Sequence, residues 1–264
     1  MTSLRKPPVQ HSDMEVLPPA PSATTAARSV RIASTTAGAG ILLMAVLAGF
    51  GNFAAVEGLV TPGDPGRTAL AIAGSEGTFR LGIASMVLVA ALDVVVAWAL
   101  YRVFSPVSRS VSLLAAWFRL GYAAVLLVAV GHLIQALHLL DGGYLTVFPV
   151  EQLQAQALLA ITTFGDVWAA GLFLFGIHLG IIGYLAYRSG HVPRVLGVLL
   201  AVAGLGYVID TLAVVLIPGP WTDVSMFTFV GEFLLALWLL SQGSRHGGLR
   251  WARKGPLGGP DPVG

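Results

Sequence analysis

The chain has 264 residues, of which 56% are hydrophobic and only 11% are charged. A soluble globular domain is roughly a quarter charged, so too few polar side chains are present to cover a water-exposed surface, and lipid must cover part of it. The formal net charge of +2, spread over loops and tails, argues against a nucleic-acid partner.

The N-terminal segment 1–30 is rich in Pro, Ser, Thr and Ala and is predicted to be a disordered tail. The apolar run that follows begins after Arg31 and lacks a convincing cleavage site, so we expect a retained helix and not a secretory signal. Long apolar runs predict six membrane-spanning helices, at 33–55, 79–102, 111–139, 157–187, 194–217 and 224–241. They form one domain, 31–241, followed by a second disordered tail, 242–264.

Positive charge alternates between the connecting segments. Twelve of the fifteen Lys and Arg residues fall in the two tails and in the loops after the second and fourth helices, whereas Arg67 and Arg80 alone fall on the opposite side. Cytoplasmic loops of membrane proteins carry such an excess. We therefore predict an all-α, polytopic bundle of six transmembrane helices, in a bacterial inner membrane and surrounded by its lipids, with both termini cytoplasmic.

The loops on the outer side are short and contain helix breakers, including the run 62–66, so they leave no room for a soluble domain. Trp and Tyr residues lie near the predicted helix ends, and we interpret them as interfacial belts. They are Trp98, Tyr101, Trp117, Tyr184, Tyr187 and Trp238 on the inner side, and Tyr144, Trp168 and Trp221 on the outer side.

Ionisable residues inside membrane helices are costly and are functional candidates by default. Asp93 and Arg119 lie at similar depths on the second and third predicted helices, which should be antiparallel neighbours. Three interpretations stay open: a structural ion pair, a pair that also binds a ligand headgroup, and an unpaired Arg119 that extends to the inner surface.

Glu232 lies near the middle of the last predicted helix, and no partner is evident at its depth on an adjacent segment. Such a carboxylate should be protonated or should line a polar cavity, which makes it a candidate for proton coupling or ligand contact. A neutral, hydrogen-bonded glutamic acid is the structural alternative.

A third group of polar residues lies toward the outer side. These residues either line an outward-facing vestibule or are scattered at the interface, and the ordinary interpretation of Glu76 and Arg80 is a pair along one helix. The group consists of Asn52, Glu57, Glu76, Arg80, His132, His138, Asp166 and Asp210.

Motifs for chemistry are missing. The spacing of His132 and His138 does not suit two metal ligands on one helix, and the sequence contains no HExxH motif, nucleophile elbow or phosphate-binding loop. Cysteine is also absent, which excludes disulfides and thiolate chemistry. We expect no metal and no cofactor, and catalytic residues cannot be named.

Several short blocks resemble a bacterial family of integral membrane proteins, domain of unknown function 4386. The resemblance covers about residues 30–241 and implies an all-helical membrane domain without an assigned activity. The blocks are Asn52-Phe53, Glu57 to Val60, Pro62 to Asp64, Glu76 to Gly82, Trp117 to Leu120, Tyr187 to Gly190 and Gly231-Glu232.

Three classes of function remain. The first is a transporter or binding protein for a small molecule or a lipid, or one coupled to protons, with the intramembrane charges lining its site. The second is a structural or regulatory membrane protein whose charges serve helix packing. The third is a membrane-embedded enzyme that acts on a lipid-like substrate, although the sequence favours a protein that is not an enzyme.

Overall fold

The structure, a computed structural model, describes residues 23–143, 145–217 and 230–244. The described residues form α-helices joined by short turns and contain no strand, which confirms the predicted all-α bundle. The helices are α1 Ala23–Gly49, α2 Pro65–Gly74, α3 Glu76–Phe104, α4 Arg109–Leu140, α5 Val150–Arg188, α6 Arg194–Leu216 and α7 Val230–Ser244. A π-helical segment, Phe50–Ala54, continues α1, and a 3₁₀ turn, Glu57–Leu59, follows it.

Five of the predicted spans reach a length that can cross a membrane in the part of the chain that the structure describes. The continuous segment Arg28–Leu59 is one of them, and α3 to α6 are the others. The sixth predicted span corresponds to α7, which is shorter, and residues 224–229 of that span lie outside the described residues.

Both predicted tails differ from the structure at their inner boundaries. Helix α1 begins at Ala23, inside the segment 1–30, and α7 ends at Ser244, just inside the segment 242–264. Residues 23–30 contain Ala, Thr, Arg, Ser and Val but no proline or glycine, so nothing in them opposes extension of the helix. The rest of both tails, together with Tyr144 and Trp221, lies outside the described residues.

Helix α2 occupies a segment that we expected to be a turn. Asp64 caps its N-terminus by accepting a hydrogen bond from the backbone N–H of Arg67 (2.9 Å), and Pro65 is the first helical residue. Proline is favoured at that position because its missing N–H would have had no partner there. The run 62–66 therefore starts a helix as well as ending one, and α2 packs against α5.

The six longer helices form a closed ring in the described residues. Their contacts follow the order α1, α3, α4, α5, α6 and α7, and α7 then returns to α1. Each helix thus packs mainly against its two neighbours, and α6 and α7 touch less extensively than α5 and α6. This arrangement directs one face of every helix toward a shared centre.

Small residues allow α5 and α6 to approach closely. A Cβ atom added to Gly176 would lie 2.6 Å from the carbonyl oxygen of Gly204, and one added to Gly183 would lie 2.6 Å from that of Gly197. Glycines at helix interfaces permit this approach where hydrophobicity cannot drive association. The same holds for α1 and α7, because a Cβ on Gly38 would lie 2.7 Å from the carbonyl oxygen of Ala236.

Candidate functional site

Arg119 of α4 is the largest fully buried side chain among the described residues, with 1% of its surface exposed. Its guanidinium lies inside the ring, where it meets side chains from four other helices. A cation in this position is costly unless acceptors surround it. The guanidinium is therefore the centre from which the site is built.

The neighbouring helices supply four acceptors. Arg119 Nε donates to Asp93 Oδ1 on α3 (2.8 Å), and Nη1 donates to Glu232 Oε1 on α7 (3.4 Å). Nη1 also donates to His178 Nε2 on α5 (3.2 Å), while Nη2 points at the sulfur of Met44 on α1 (3.9 Å). We call Asp93, Arg119, His178 and Glu232 the central cluster.

The hydrogen bonds of His178 determine its tautomer. Nδ1 faces the carbonyl oxygen of Ala115 at 2.8 Å, and a carbonyl can only accept. Nε2 faces a guanidinium, which can only donate. His178 is thus a neutral imidazole with its proton on Nδ1, and it links α4 to α5 without adding charge.

The predicted ion pair between Asp93 and Arg119 is present, which excludes the alternative of an Arg119 that extends to the inner surface. The expectation that Glu232 lacks a partner is wrong, because Arg119 reaches it from α4. These residues are far apart in the sequence, and the closure of the ring between α7 and α1 brings them together.

The members of the cluster share one level of the bundle. Asp93, Arg119, His178 and Glu232 lie ten to twelve residues from the ends of their helices at Phe104, Arg109, Arg188 and Ser244. At 1.5 Å per residue these distances are about 15 to 18 Å, or roughly half of a hydrocarbon core about 30 Å thick. The cluster therefore lies at one depth, nearer to these ends of α3, α4 and α5 than to their opposite ends.

The cluster holds more acid than base. Two carboxyl groups face one guanidinium, so it carries a charge of minus one when both carboxyls are ionised. Asp93 is completely buried, and its Oδ2 has no hydrogen-bond partner among the described residues. Because an uncompensated buried charge is costly, electrical neutrality requires one proton or one bound cation.

A cavity of about 340 Å³ lies beside the cluster. All six ring helices line it, so it is inside the ring and not on its outer surface. Glu232 is the lining member of the cluster, and one fifth of its side chain is exposed. We call this space the central cavity.

Aromatic rings dominate the wall of the central cavity. Six of its fifteen lining residues are aromatic, against 9% in the whole chain. Phe175 of α5 packs between Tyr122 (4.9 Å between ring centroids) and Tyr207 (5.6 Å), and the guanidinium of Arg119 lies 5.3 Å from its ring centroid. These contacting rings form one part of the wall, and apolar side chains form most of the rest.

Trp168 turns inward, whereas we expected it to lie at the membrane interface. It is only partly exposed, it lines the central cavity, and its indole N–H donates to the hydroxyl oxygen of Tyr122 (3.0 Å). In contrast, Trp98 and Trp117 are more than half exposed and Tyr184 is half exposed, as the belt interpretation predicts.

The π-helical end of α1 borders two spaces. Asn52 lies there, lines the central cavity, and donates to Glu57 Oε1 (2.7 Å). Both residues also line a second cavity of about 420 Å³, against α5. Single π turns within α-helices occur frequently at functional sites, and Asn52 in this turn lies on the wall of both spaces.

The remaining candidates do not join the cluster. Glu76 and Arg80 form an exposed pair along α3 (2.6 Å), and Asp166 is exposed on α5. Asp210 is buried on α6, near Tyr207 and with partners of its own. The polar residues of this group are thus dispersed, because Asn52 and Glu57 border the two cavities described above, whereas Glu76 lines a separate cavity of about 260 Å³.

Comparison with known proteins gives a family and no activity. The family model of domain of unknown function 4386 matches residues 36–243, nearly the whole helical domain. The chain belongs to this family. A relative from Archaeoglobus fulgidus, described as an uncharacterized protein, is 34% identical over 163 residues, which are 62% of this chain and 84% of the relative. No solved structure matches the chain.

The match to family 4386 encloses the whole central cluster, from Asp93 to Glu232. Sequence reasoning missed His178 as a partner of Arg119. A signal was available, because His178 and Arg119 are equally distant from the inner ends of their helices. Comparing the distance of each polar residue from the end of its helix would have shown that His178 is level with Arg119.

Proposed function

We propose that this member of family 4386 is an integral protein of the bacterial cell membrane that binds or transports a small molecule in its central cavity, coupled to a proton on the central cluster. The supporting observation is the cavity itself, because all six ring helices line it and the carboxyl group of Glu232 is part of its wall. Ligand sites in proteins have such volumes, with mostly apolar walls and a few convergent polar groups. In the proposed topology, with cytoplasmic termini, the end of the cavity beside Asn52 faces the outer side and is its entrance.

The net charge of the central cluster supports the proposed coupling to a proton. Neutrality requires one proton or cation, and Glu232 is the carboxyl that borders the cavity. A proton on this group can exchange with water or with a ligand that enters from the outer side. Carboxyl groups within membrane helices have this role in many pumps and transporters.

A structural role is the second candidate, and a specific observation favours it. Arg119 binds acceptors on α1, α3, α5 and α7, so it joins five of the six ring helices at one point. Such a network can fix helix rotation and register without any ligand. Under this alternative the central cavity needs no access to water.

Labelling of introduced cysteines separates the two candidates, and the chain has no cysteine to remove. Leu172 lines the central cavity, whereas Ala170, two residues away on α5, is exposed on the outer surface of the bundle. If the cavity holds water, iodoacetamide should alkylate Leu172→Cys about tenfold faster than Ala170→Cys, because the reactive thiolate forms only where water solvates it.

The measurement is the alkylation rate of each purified variant in lipid nanodiscs, after its folding has been verified by gel filtration and circular dichroism. Equal, slow rates for the two positions would overturn the proposed function and favour the structural role.

A further inference from the structure

The chemistry of the central cavity defines the charge of its ligand. Glu232 is the one ionisable carboxyl among the described lining residues, and no Lys, Arg or His belongs to that lining. Arg119 is almost completely buried and already bonded to two carboxyl groups. A ligand that enters the cavity therefore meets the carboxyl group of Glu232 and no cationic side chain of the described lining.

The aromatic part of the cavity wall also favours a cation. The faces of aromatic rings attract cations, most strongly where water is excluded. Phe175 and Tyr207 meet at right angles beside Glu232, and Tyr122 and Trp168 continue the same surface toward the entrance. A carboxylate in a cavity with aromatic and aliphatic walls suits a positively charged group attached to an apolar body.

We propose that the central cavity binds a lipophilic organic monocation, with its ammonium group between the Glu232 carboxylate and the rings of Phe175 and Tyr207. The proposal rests on the proposed function and names its ligand class. The cation replaces the proton of the central cluster, so one proton passes to water for each cation bound. In both states the cluster and its occupant are electrically neutral.

Other titratable groups lie around Glu232 and could in principle bind the proton that it loses. They are Asp93 on α3, Arg119 and Tyr122 on α4, His178 on α5, and Tyr207 and Asp210 on α6, while α1 contributes the uncharged side chains of Met44 and Asn52. Among them only Asp93 can share the exchanging proton within the cluster, because Arg119 remains charged and His178 donates from Nδ1 to a carbonyl.

Three probes of similar shape test the charge of the ligand. Benzyltrimethylammonium carries a fixed positive charge, neopentylbenzene is its neutral isostere, and phenylmethanesulfonate is an anion of comparable size. Titration calorimetry of the full chain in detergent should give a cation affinity about tenfold or more above that of the other two. Because binding releases one proton, the affinity for the cation should rise by up to about tenfold for each unit by which the pH is raised, as long as the free cluster still holds its proton.

Glu232→Gln removes the group that distinguishes the probes. It should weaken cation binding about tenfold or more and abolish proton release. Glu76→Gln is the matched control, since it makes the same change in an exposed pair outside the central cavity, and it should bind the cation as the unaltered chain does. Cation binding that is indifferent to Glu232→Gln, or preference for the neutral or anionic probe, overturns the proposal.

A second measurement keeps Glu232 intact and does not depend on the folding of that variant. The thiol of Leu172→Cys should react about tenfold faster with a trimethylammonium-ethyl methanethiosulfonate than with the sulfonatoethyl reagent, after correction for their rates with a free thiol. Equal rates, or a faster anionic reagent, contradict a cation site.

Different results would contradict the proposed function and the proposed ligand class. If iodoacetamide reaches Leu172→Cys but the cation does not bind, the ligand class is wrong and the water-filled cavity stands. If Leu172→Cys is inaccessible and none of the probes binds, both proposals fail.

A soluble amine and the ammonium headgroup of a lipid share the proposed chemistry. Nanodiscs of phosphatidylglycerol, with and without phosphatidylethanolamine, distinguish these sources. Loss of benzyltrimethylammonium binding when phosphatidylethanolamine is added identifies the headgroup as occupant, whereas unchanged binding identifies a soluble cation.

Discussion

At the scale of single residues, Arg119 dominates the interior of this protein. Its guanidinium contacts two carboxyl groups, an imidazole and a thioether, and each comes from a different helix. Removing one partner from such a group leaves a buried charge with less compensation, which costs more than the pair contributes. The consequence can be measured without knowing the ligand.

Asp93→Asn alone should reduce the free energy of unfolding by about 3 kcal/mol, because Arg119 loses the buried carboxylate that accepts from its Nε at 2.8 Å and keeps only the longer contact with Glu232. Combining it with Arg119→Gln should recover part of that loss, since the cation is then gone. Unfolding in mixed micelles measures both, and Glu76→Gln, in an exposed pair, should change stability by less than about 1 kcal/mol. Additive losses in the double-mutant cycle would show that the two residues are not coupled.

The partnership of Asp93 and Arg119 could be predicted because one short loop joins their helices and both lie at the same depth. His178 and Glu232 could not be assigned in this way. Their contacts join helices that are distant in the sequence, so they depend on how far each helix is rotated about its axis. Hydropathy does not encode that rotation.

At the scale of the helices, glycines determine which pairs can approach. Helices α5 and α6 place backbone against backbone at Gly176 and Gly204, and again at Gly183 and Gly197. Gly180 lies between these points on α5 but has open space where its Cβ would be. The two kinds of glycine should therefore respond in opposite ways to the same substitution.

Gly183→Ala should destabilise the protein by about 1 to 3 kcal/mol, because its Cβ would lie 2.6 Å from one backbone atom of α6 and 2.8 Å from another. Gly180→Ala should be neutral or should stabilise by up to about 1 kcal/mol through helix propensity. Thermal unfolding of both variants in one detergent gives the comparison. A similar loss for the two would mean that α5 and α6 do not pack in this way.

The start of α2 illustrates a signal that admits two interpretations. Proline and glycine between apolar runs indicate a turn, but Asp64 followed by Pro65 is also a helix start. The turn ends the preceding span, and the helix start begins α2. The sequence contains both signals, and the packing of α2 against α5 determines that the helix forms.

At the scale of the whole molecule, the closed ring creates the central cavity. Each helix contributes a narrow inner face, while many large apolar side chains remain exposed on the outside, including Val128, Leu159, Val195 and Val215. Such an exposed apolar surface suits lipid. The remaining prediction at this scale is the orientation of the ring in its membrane.

Thr146→Cys, before α5, should react with a membrane-impermeant maleimide in intact cells, because the charge pattern places that loop outside. Ser110→Cys, at the start of α4, should react only after the cells are broken open. Both positions are exposed, and the lack of native cysteine removes background labelling. The opposite pattern would reverse the predicted topology.

The sequence by itself determined the helical class, most helix boundaries, the family and the partnership of Asp93 with Arg119. Each of these follows from local composition or from helices adjacent along the chain. Only the tertiary structure decided that Glu232 and His178 join the same guanidinium, that Trp168 turns inward, and that a cavity lies within the ring. These features depend on the rotation of each helix and on the contact of α7 with α1, which arise from packing between segments distant in the sequence.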